Sequence, residues 1–194
     1  MKKDRKYRKS TIPDNAKCVF EGVIFDVYHW EQELYDGSKT TFEKLARDDT
    51  VIVIPILNDG RLLLTLDSQP GRDPYLTGPG GRVDEGETPE EAARRELLEE
   101  TGYTCDSLTL VQERKPEEKL DWIVYSYVGR GCRQIQQPNP GVGEKVELNP
   151  VTLDEFVELA VTGRLHSEWK LKLLEARLNP RKMEELRNVF APGS

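Results

Sequence analysis

Cysteine is scarce in these 194 residues. Cys18, Cys105 and Cys132 make an odd, widely scattered set, which excludes a disulfide framework and fits no zinc-ligand spacing. A reducing, cytoplasmic setting is expected. Histidine is scarcer still: His29 and His166 stand alone and are read as packing or surface groups rather than catalysts. Long apolar runs are missing as well. The longest, Val51 to Leu57, falls far short of the ~18 residues a membrane helix needs, so no membrane partner is expected. The start, Met1 to Lys9, is basic but leads into no apolar stretch, and no secretory leader is expected. Positive charge is in deficit, with 28 Lys and Arg against 35 Asp and Glu and a formal net charge of −7. Without a basic footprint, nucleic acid is not an expected partner. An acidic protein that handles a polyphosphate needs metal ions to bridge the like charges.

What is present suits one domain of mixed α+β (α/β) class. Apolar blocks recur along the chain, the length is ample for a core, and no repeat is visible. Residues 1–17 read as a flexible, solvated basic tail. Residues 18–50 hold β-prone segments, dense from Phe20 to Trp30, with a hairpin signal at Asp36-Gly37. Val51 to Leu57 is β-branched on both faces, as in a strand buried on two sides, with Pro55 pointing to an edge or bulge. Asn58-Asp-Gly60 turns the chain, and Arg61 to Leu66 is expected to return as the partner of that strand. Further strands are expected at Leu108–Gln112 and Trp122–Val128, and a short one after the loop Gly131–Gly143. Thr88, Pro89 and Glu91 form a capping box with proline at the first helical position, and Gly102 is placed as terminator of the helix they open. Thr152 to Glu155 is a second capping box, opening a helix that stops at Gly163. Two more helical stretches, Ser167–Leu178 and Arg181–Phe190, flank Pro180. Residues 51–178 are taken as the core and 179–194 as a helical extension.

The chemistry is concentrated between Gly80 and Tyr103. On the expected helix Glu96 and Glu100 are four apart and share a face, with Glu99 beside them. Three like charges near the negative end of a helix dipole repel one another. Such a cluster is either simply solvated or a collector of a hard divalent cation, which takes carboxylate, water and phosphate oxygens. Arg95 is spaced to pair with Glu91 and Glu99 and to reach back to Glu87.

The combination matches the Nudix box, Gly-x5-Glu-x7-Arg-Glu-U-x-Glu-Glu-x-Gly-U, as Gly81, Glu87, Arg95, Glu96, Leu97, Glu99, Glu100, Gly102 and Tyr103. Its fixed positions coincide by chance on the order of 10⁻⁸ per start point. The chain therefore resembles the Nudix hydrolases, which implies an α/β/α sandwich around a mixed sheet and hydrolysis of a nucleoside diphosphate linked to another moiety. The resemblance makes Glu96, Glu99, Glu100 and the Gly80 carbonyl ligands of Mg²⁺ or Mn²⁺, and Arg95–Glu87 a structural pair. Bound metal would neutralise the pyrophosphate, acidify a water and stabilise the leaving phosphate.

From Asp36 to Leu57 the chain resembles the ADP-ribose pyrophosphatase branch. That branch implies an N-terminal β-meander exchanged between the subunits of a homodimer, and a nucleoside diphosphate sugar as substrate. Carried over, Phe42 stacks on adenine while Glu43 and Arg47 contact the nucleotide. Phe42 as a core residue, and Trp30 or Tyr28 as the stacking ring, are open alternatives. Leu76-Thr-Gly-Pro-Gly-Gly81 departs from the branch pattern Glu-x-Pro-Ala-Gly, and in Ser68-Gln-Pro-Gly-Arg72 the arginine, Arg72, is shifted. Glu144, after the Gly131–Gly143 loop, matches a family loop carboxylate that serves as metal ligand or base; the plain alternative is a solvated charge. GDP-mannose or another nucleoside diphosphate derivative is the rival substrate. A non-catalytic ADP-ribose-sensing module is the rival class, whose usual mark, an eroded box, is missing here.

Overall fold

The computed structural model describes residues 5–68, 70–71, 73–140 and 145–191. The chain opens with β1 (Lys17–Glu21), β2 (Asp26–Glu33) and β3 (Lys39–Ala46), an antiparallel meander whose β3 edge is met in parallel by the short β9 (Leu120–Asp121). The β2–β3 hairpin turns at Asp36-Gly37, where Gly37 takes φ +81° and Leu34 N–H donates to Ser38 O at 2.8 Å. A left-handed backbone there favours glycine, which has no Cβ to strain it.

β4 (Thr50–Pro55) runs parallel to β10 (Val124–Arg130), which pairs antiparallel with β8 (Ser107–Arg114). A second sheet joins β12 (Lys145–Val151), β5 (Leu62–Ser68) and β6 (Tyr75–Thr77). β4 is buried on both faces, as its β-branched sequence predicts. Val51 and Val53 meet α1 (Pro89–Thr101) through Ala92, Ala93 and Leu97. Ile54 faces the other way, into Leu64 of β5, Phe156 of α2 (Leu153–Val161), and Trp169 and Leu173 at the start and in the middle of α3 (Lys170–Leu178). Helices on both sides of the strands make the α/β/α sandwich. α4 (Pro180–Val189) closes the second core through Leu186 and Phe190, so residues 180–190 cover the core. Among the described residues no helix is long and apolar enough to cross a membrane.

Two expectations need correction. β5 is not the ladder partner of β4: the turn closes through Leu57 N–H to Arg61 O at 2.8 Å and one Ile56–Leu62 bridge, after which the strands enter different sheets. Pro55, the last residue of β4, has no N–H to extend such a ladder. Residues 5–12 are not a solvated tail. Ile12 is buried with Tyr28 and Ala46, and Arg5 and Arg8 bond the buried carboxylates of Asp49 and Asp121.

Candidate active site

The loop entering α1 (Pro89–Thr101) is tied to the helix by one arginine. Arg95 Nε and Nη2 donate to the two carboxylate oxygens of Glu87 at 2.8 and 2.9 Å, and Nη2 also donates to Arg82 O at 2.9 Å. The guanidinium fork matches the carboxylate plane, which gives geometric specificity as well as energy. The arginine holds the Glu87 carboxyl below its usual range. Both helix ends form as expected: Thr88 and Glu91 make the capping box, and Gly102 adopts φ +73°.

Arg95 Nη1 also donates to Glu96 at 2.7 Å and to Glu99 at 3.3 Å. Glu100 points elsewhere and accepts from Gly80 N–H at 3.0 Å. Burial pushes the Glu96 carboxyl above the usual range, against the pull of Arg95. The last turn of α1 carries no basic residue, so Arg95, about two turns from the helix end, is the helix's one cation bonded to these carboxylates at its negative end.

Two glycines allow the close approach. A Cβ on Gly81 would stand 2.2 Å from Glu96 Oε1, and one on Gly80 2.1 Å from Val51 O. The Pro79 and Gly81 carbonyls accept from Val53 and Val51 N–H at 2.8 and 2.9 Å.

Among the described residues no three acidic, histidine or cysteine side chains converge around one point, because Glu96 and Glu99 are drawn to Arg95 and Glu100 to Gly80. The donor set nevertheless fits a hard divalent cation. It consists of carboxylate oxygens and a backbone carbonyl, and it includes in Glu96 a desolvated charge that a cation would relieve.

The residues expected to hold a substrate are only partly gathered. Trp30 and Phe42 face each other across β2 and β3, ring centroids 5.8 Å apart, with Lys119 Nζ 5.6 Å from the Phe42 ring. Glu43 lies on the opposite face of β3 and is tied to His29 at 2.7 Å. Successive strand residues point to opposite faces, so Phe42 and Glu43 of one chain do not share a ligand. Tyr28 is corrected: only 3% exposed and packed with Ile12 and Ala46, it offers no ring face to a base. The Arg47 guanidinium stacks 4.5 Å from the Trp122 ring and 5.7 Å from Phe25, and burial lowers its pKa. Arg82 is near enough to disfavour the Arg47 charge further, and it bridges to Thr50 at the start of β4. Arg72 and Glu144 lie outside the described residues.

Sequence reasoning missed Trp122, whose indole donates to Thr50 Oγ1 at 3.1 Å, and Lys119. No spacing rule links either to the helix of glutamates, since they flank β9, Lys119 just before it and Trp122 just after it.

The NUDIX domain profile matches residues 46–173. The ADP-ribose pyrophosphatase of Bacillus subtilis (strain 168) is 30% identical over 161 residues, covering 82% of this chain and 80% of that protein. The methanol dehydrogenase activator of Bacillus methanolicus is 28% identical over 164 residues, covering 82% and 87%. A crystal structure of an ADP compounds hydrolase superposes with a TM-score of 0.70 at 20% identity, covering 95% of this chain and 97% of that one, and so supports the fold. With the box, the Arg95 clamp and the sandwich all in place, the chain belongs to the Nudix hydrolase family.

Proposed function

We propose that this Nudix pyrophosphatase hydrolyses ADP-ribose or a closely related nucleoside diphosphate sugar, with Mg²⁺ (Mn²⁺ as the alternative), to a nucleoside monophosphate and a sugar phosphate. The observation that carries the reading is the Arg95–Glu87 clamp holding the double-glycine loop against Glu96, Glu99 and Glu100. Likeness over most of its length to a protein named ADP-ribose pyrophosphatase favours that substrate over GDP-mannose.

In this reading Glu96, Glu99, Glu100 and the Gly80 carbonyl hold the metal, which when bound neutralises pyrophosphate charge and acidifies water. Arg95 keeps the loop in register with the helix. Arg47 and Arg82 set two guanidiniums beside the start of the loop, suited to phosphate oxygens, and Phe42 with Trp30 offers the aromatic face for a base. Glu144, just before β12 (Lys145–Val151), serves as metal ligand or as the base that takes the water's proton.

Product chromatography after incubation with Mg²⁺ tests the reading. AMP and ribose 5-phosphate should form faster from ADP-ribose than products from GDP-mannose or UDP-glucose, and a chelator should stop them. Faster turnover of another nucleotide sugar overturns the substrate; no turnover of any overturns the activity. Glu144→Gln should lower kcat by ~10²-fold or more, the usual cost of a lost general base. Near-normal turnover at saturating Mg²⁺ removes Glu144 from the mechanism.

The working form in this proposal is a homodimer built through the meander. Phe20, Val23 and Ile24 are 60%, 93% and 55% exposed on β1 and the turn after it, an apolar patch of the kind that marks an interaction surface. Light scattering on a sizing column should give twice the chain mass for the wild type and one chain mass for Phe20→Asp/Ile24→Asp. A monomeric wild type at micromolar concentration ends the dimer assignment.

A further inference from the structure

Just past the catalytic helix, two buried thiols face each other across a strand pair. β7 (Tyr103–Thr104) pairs antiparallel with β11 (Arg133–Gln134), with Thr104 opposite Arg133. Farther along, Ser107 is opposite Arg130 in the β8–β10 ladder. Both pairings belong to one register, and that register sets Cys105 opposite Cys132. Ile135 N–H donates to Gly102 O at 2.9 Å and Asp106 N–H to Arg130 O at 2.9 Å, so the two segments are tied together on both sides of the cysteines. Residues directly opposite each other in an antiparallel pair have Cα atoms ~4.5–5.5 Å apart. Disulfides span Cα separations of about 4.4–6.8 Å.

The side chains agree with the backbone. A Cβ built on Gly129 would stand 3.3 Å from Cys132 Sγ and 3.6 Å from Cys105 Sγ, so both sulfurs converge on one small space beside Gly129. Both thiols are free and buried. They hydrogen-bond each other, which holds the Cys105 thiol below its usual range and pushes the Cys132 thiol up. Arg94, on α1, brings Nη1 to 3.9 Å from Cys105 Sγ and 3.3 Å from Cys105 O. A cation and a thiol donor beside one sulfur favour its thiolate, the form that reacts. In sequence Cys105 has no basic neighbour and reads as inert packing; the fold supplies the cation.

We propose that Cys105 and Cys132 are a redox-active dithiol that closes to an intramolecular disulfide under hydrogen peroxide. The Cys105 thiolate attacks one peroxide oxygen, the O–O bond breaks, and protonation of the leaving hydroxide releases water and a sulfenic acid. The Cys132 sulfur then displaces the second oxygen as water. Two thiols and one peroxide give one disulfide and two waters, with two electrons passing from sulfur to oxygen. The bond staples the start of the 131–140 segment to the strand leaving α1. That segment already donates from Asn139 N–H to Glu99 O at 2.7 Å, so the staple bears on the helix turn that carries Glu99 and Glu100.

The test uses the full chain and a Cys18→Ser variant, which removes the exposed third thiol. After peroxide treatment, quenching and alkylation under denaturing conditions, the variant should lose both remaining free thiols. A non-reduced digest should join the Cys105 and Cys132 peptides with a mass 2 Da below their sum, and dithiothreitol should restore the thiols. The oxidised form should melt roughly 10 °C higher, as expected for a cross-link closing a loop of this size. Two thiols that survive peroxide overturn the proposal. So do separate oxidation to sulfinic or sulfonic acids and a disulfide joining two chains. Peptide mapping of the oxidised wild type distinguishes the same outcomes if the variant folds poorly.

Discussion

Glu100→Gln should lower kcat for the best nucleoside diphosphate sugar about 10³-fold or more at saturating Mg²⁺, with the melting temperature of the metal-free protein almost unchanged. The substitution is chosen for what it keeps. Glutamine has the size of glutamate, and its Oε1 still accepts from Gly80 N–H, now at 3.0 Å to the carboxylate. What is lost is one negative charge on the turn that the proposal assigns to the metal. A neutral hydrogen bond is worth only about 1 kcal/mol net, whereas a 10³-fold loss is about 4 kcal/mol of transition-state stabilisation, a size that metal-assisted charge stabilisation supplies. Steady-state turnover across a Mg²⁺ titration checks it. Hydrolysis that survives, or that extra Mg²⁺ restores fully, means the box carboxylates do not serve the reaction as assigned.

The helix that carries Glu100 is legible in the sequence because its signals are local. Thr88, Pro89, Glu91 and Gly102 act within one turn of their own positions, and they delimit α1 as Pro89–Thr101. The i,i+4 spacing then puts Glu96 and Glu100 on one face without reference to the rest of the chain. The β-branched run of β4 is legible for the same reason, since burial on two faces leaves its mark residue by residue. Pairing is not legible. β4 takes β10 as its neighbour, more than sixty residues away in sequence, a choice made by sandwich packing and not by the Asn58–Gly60 turn. The burial of Tyr28 is hidden likewise: a ring in an alternating strand looks the same whether it meets solvent or Ile12. Cys105 and Cys132 look scattered because a register shared by two ladders is what brings them together.

The largest stability effect is expected from a residue that the sequence places in a tail. Arg8→Ala should cost about 3 kcal/mol, the lower end for breaking a buried ion pair, and lower the melting temperature by roughly 10 °C for a domain of this size. Arg8 Nε and Nη2 donate to Asp49 at 2.6 and 2.7 Å, and Nη1 donates to Asp121 at 2.8 Å. The Asp49 and Asp121 side chains are 0% and 1% exposed, so a lost cation leaves charge that water cannot reach. Arg5, Ser10 and Thr11 still bond Asp121, which keeps the cost at that lower end. The clamp also touches the site, because Asp49 O accepts from Val83 N–H of the box loop at 2.9 Å. Burial alone would raise the Asp121 carboxyl, but Arg8 and Ser10 outweigh it and hold the group well below the usual carboxylate range. A depressed folded pKa gives stability that is fully present above the unfolded value of ~3.9 and is lost as pH falls through the folded one. Urea unfolding should therefore show the Arg8→Ala penalty in full at pH 7 and a shrinking penalty below pH ~4. A change under about 0.5 kcal/mol at pH 7, typical of an exposed surface substitution, would mean that residues 5–12 are solvated after all and that Asp49 and Asp121 find their compensation elsewhere.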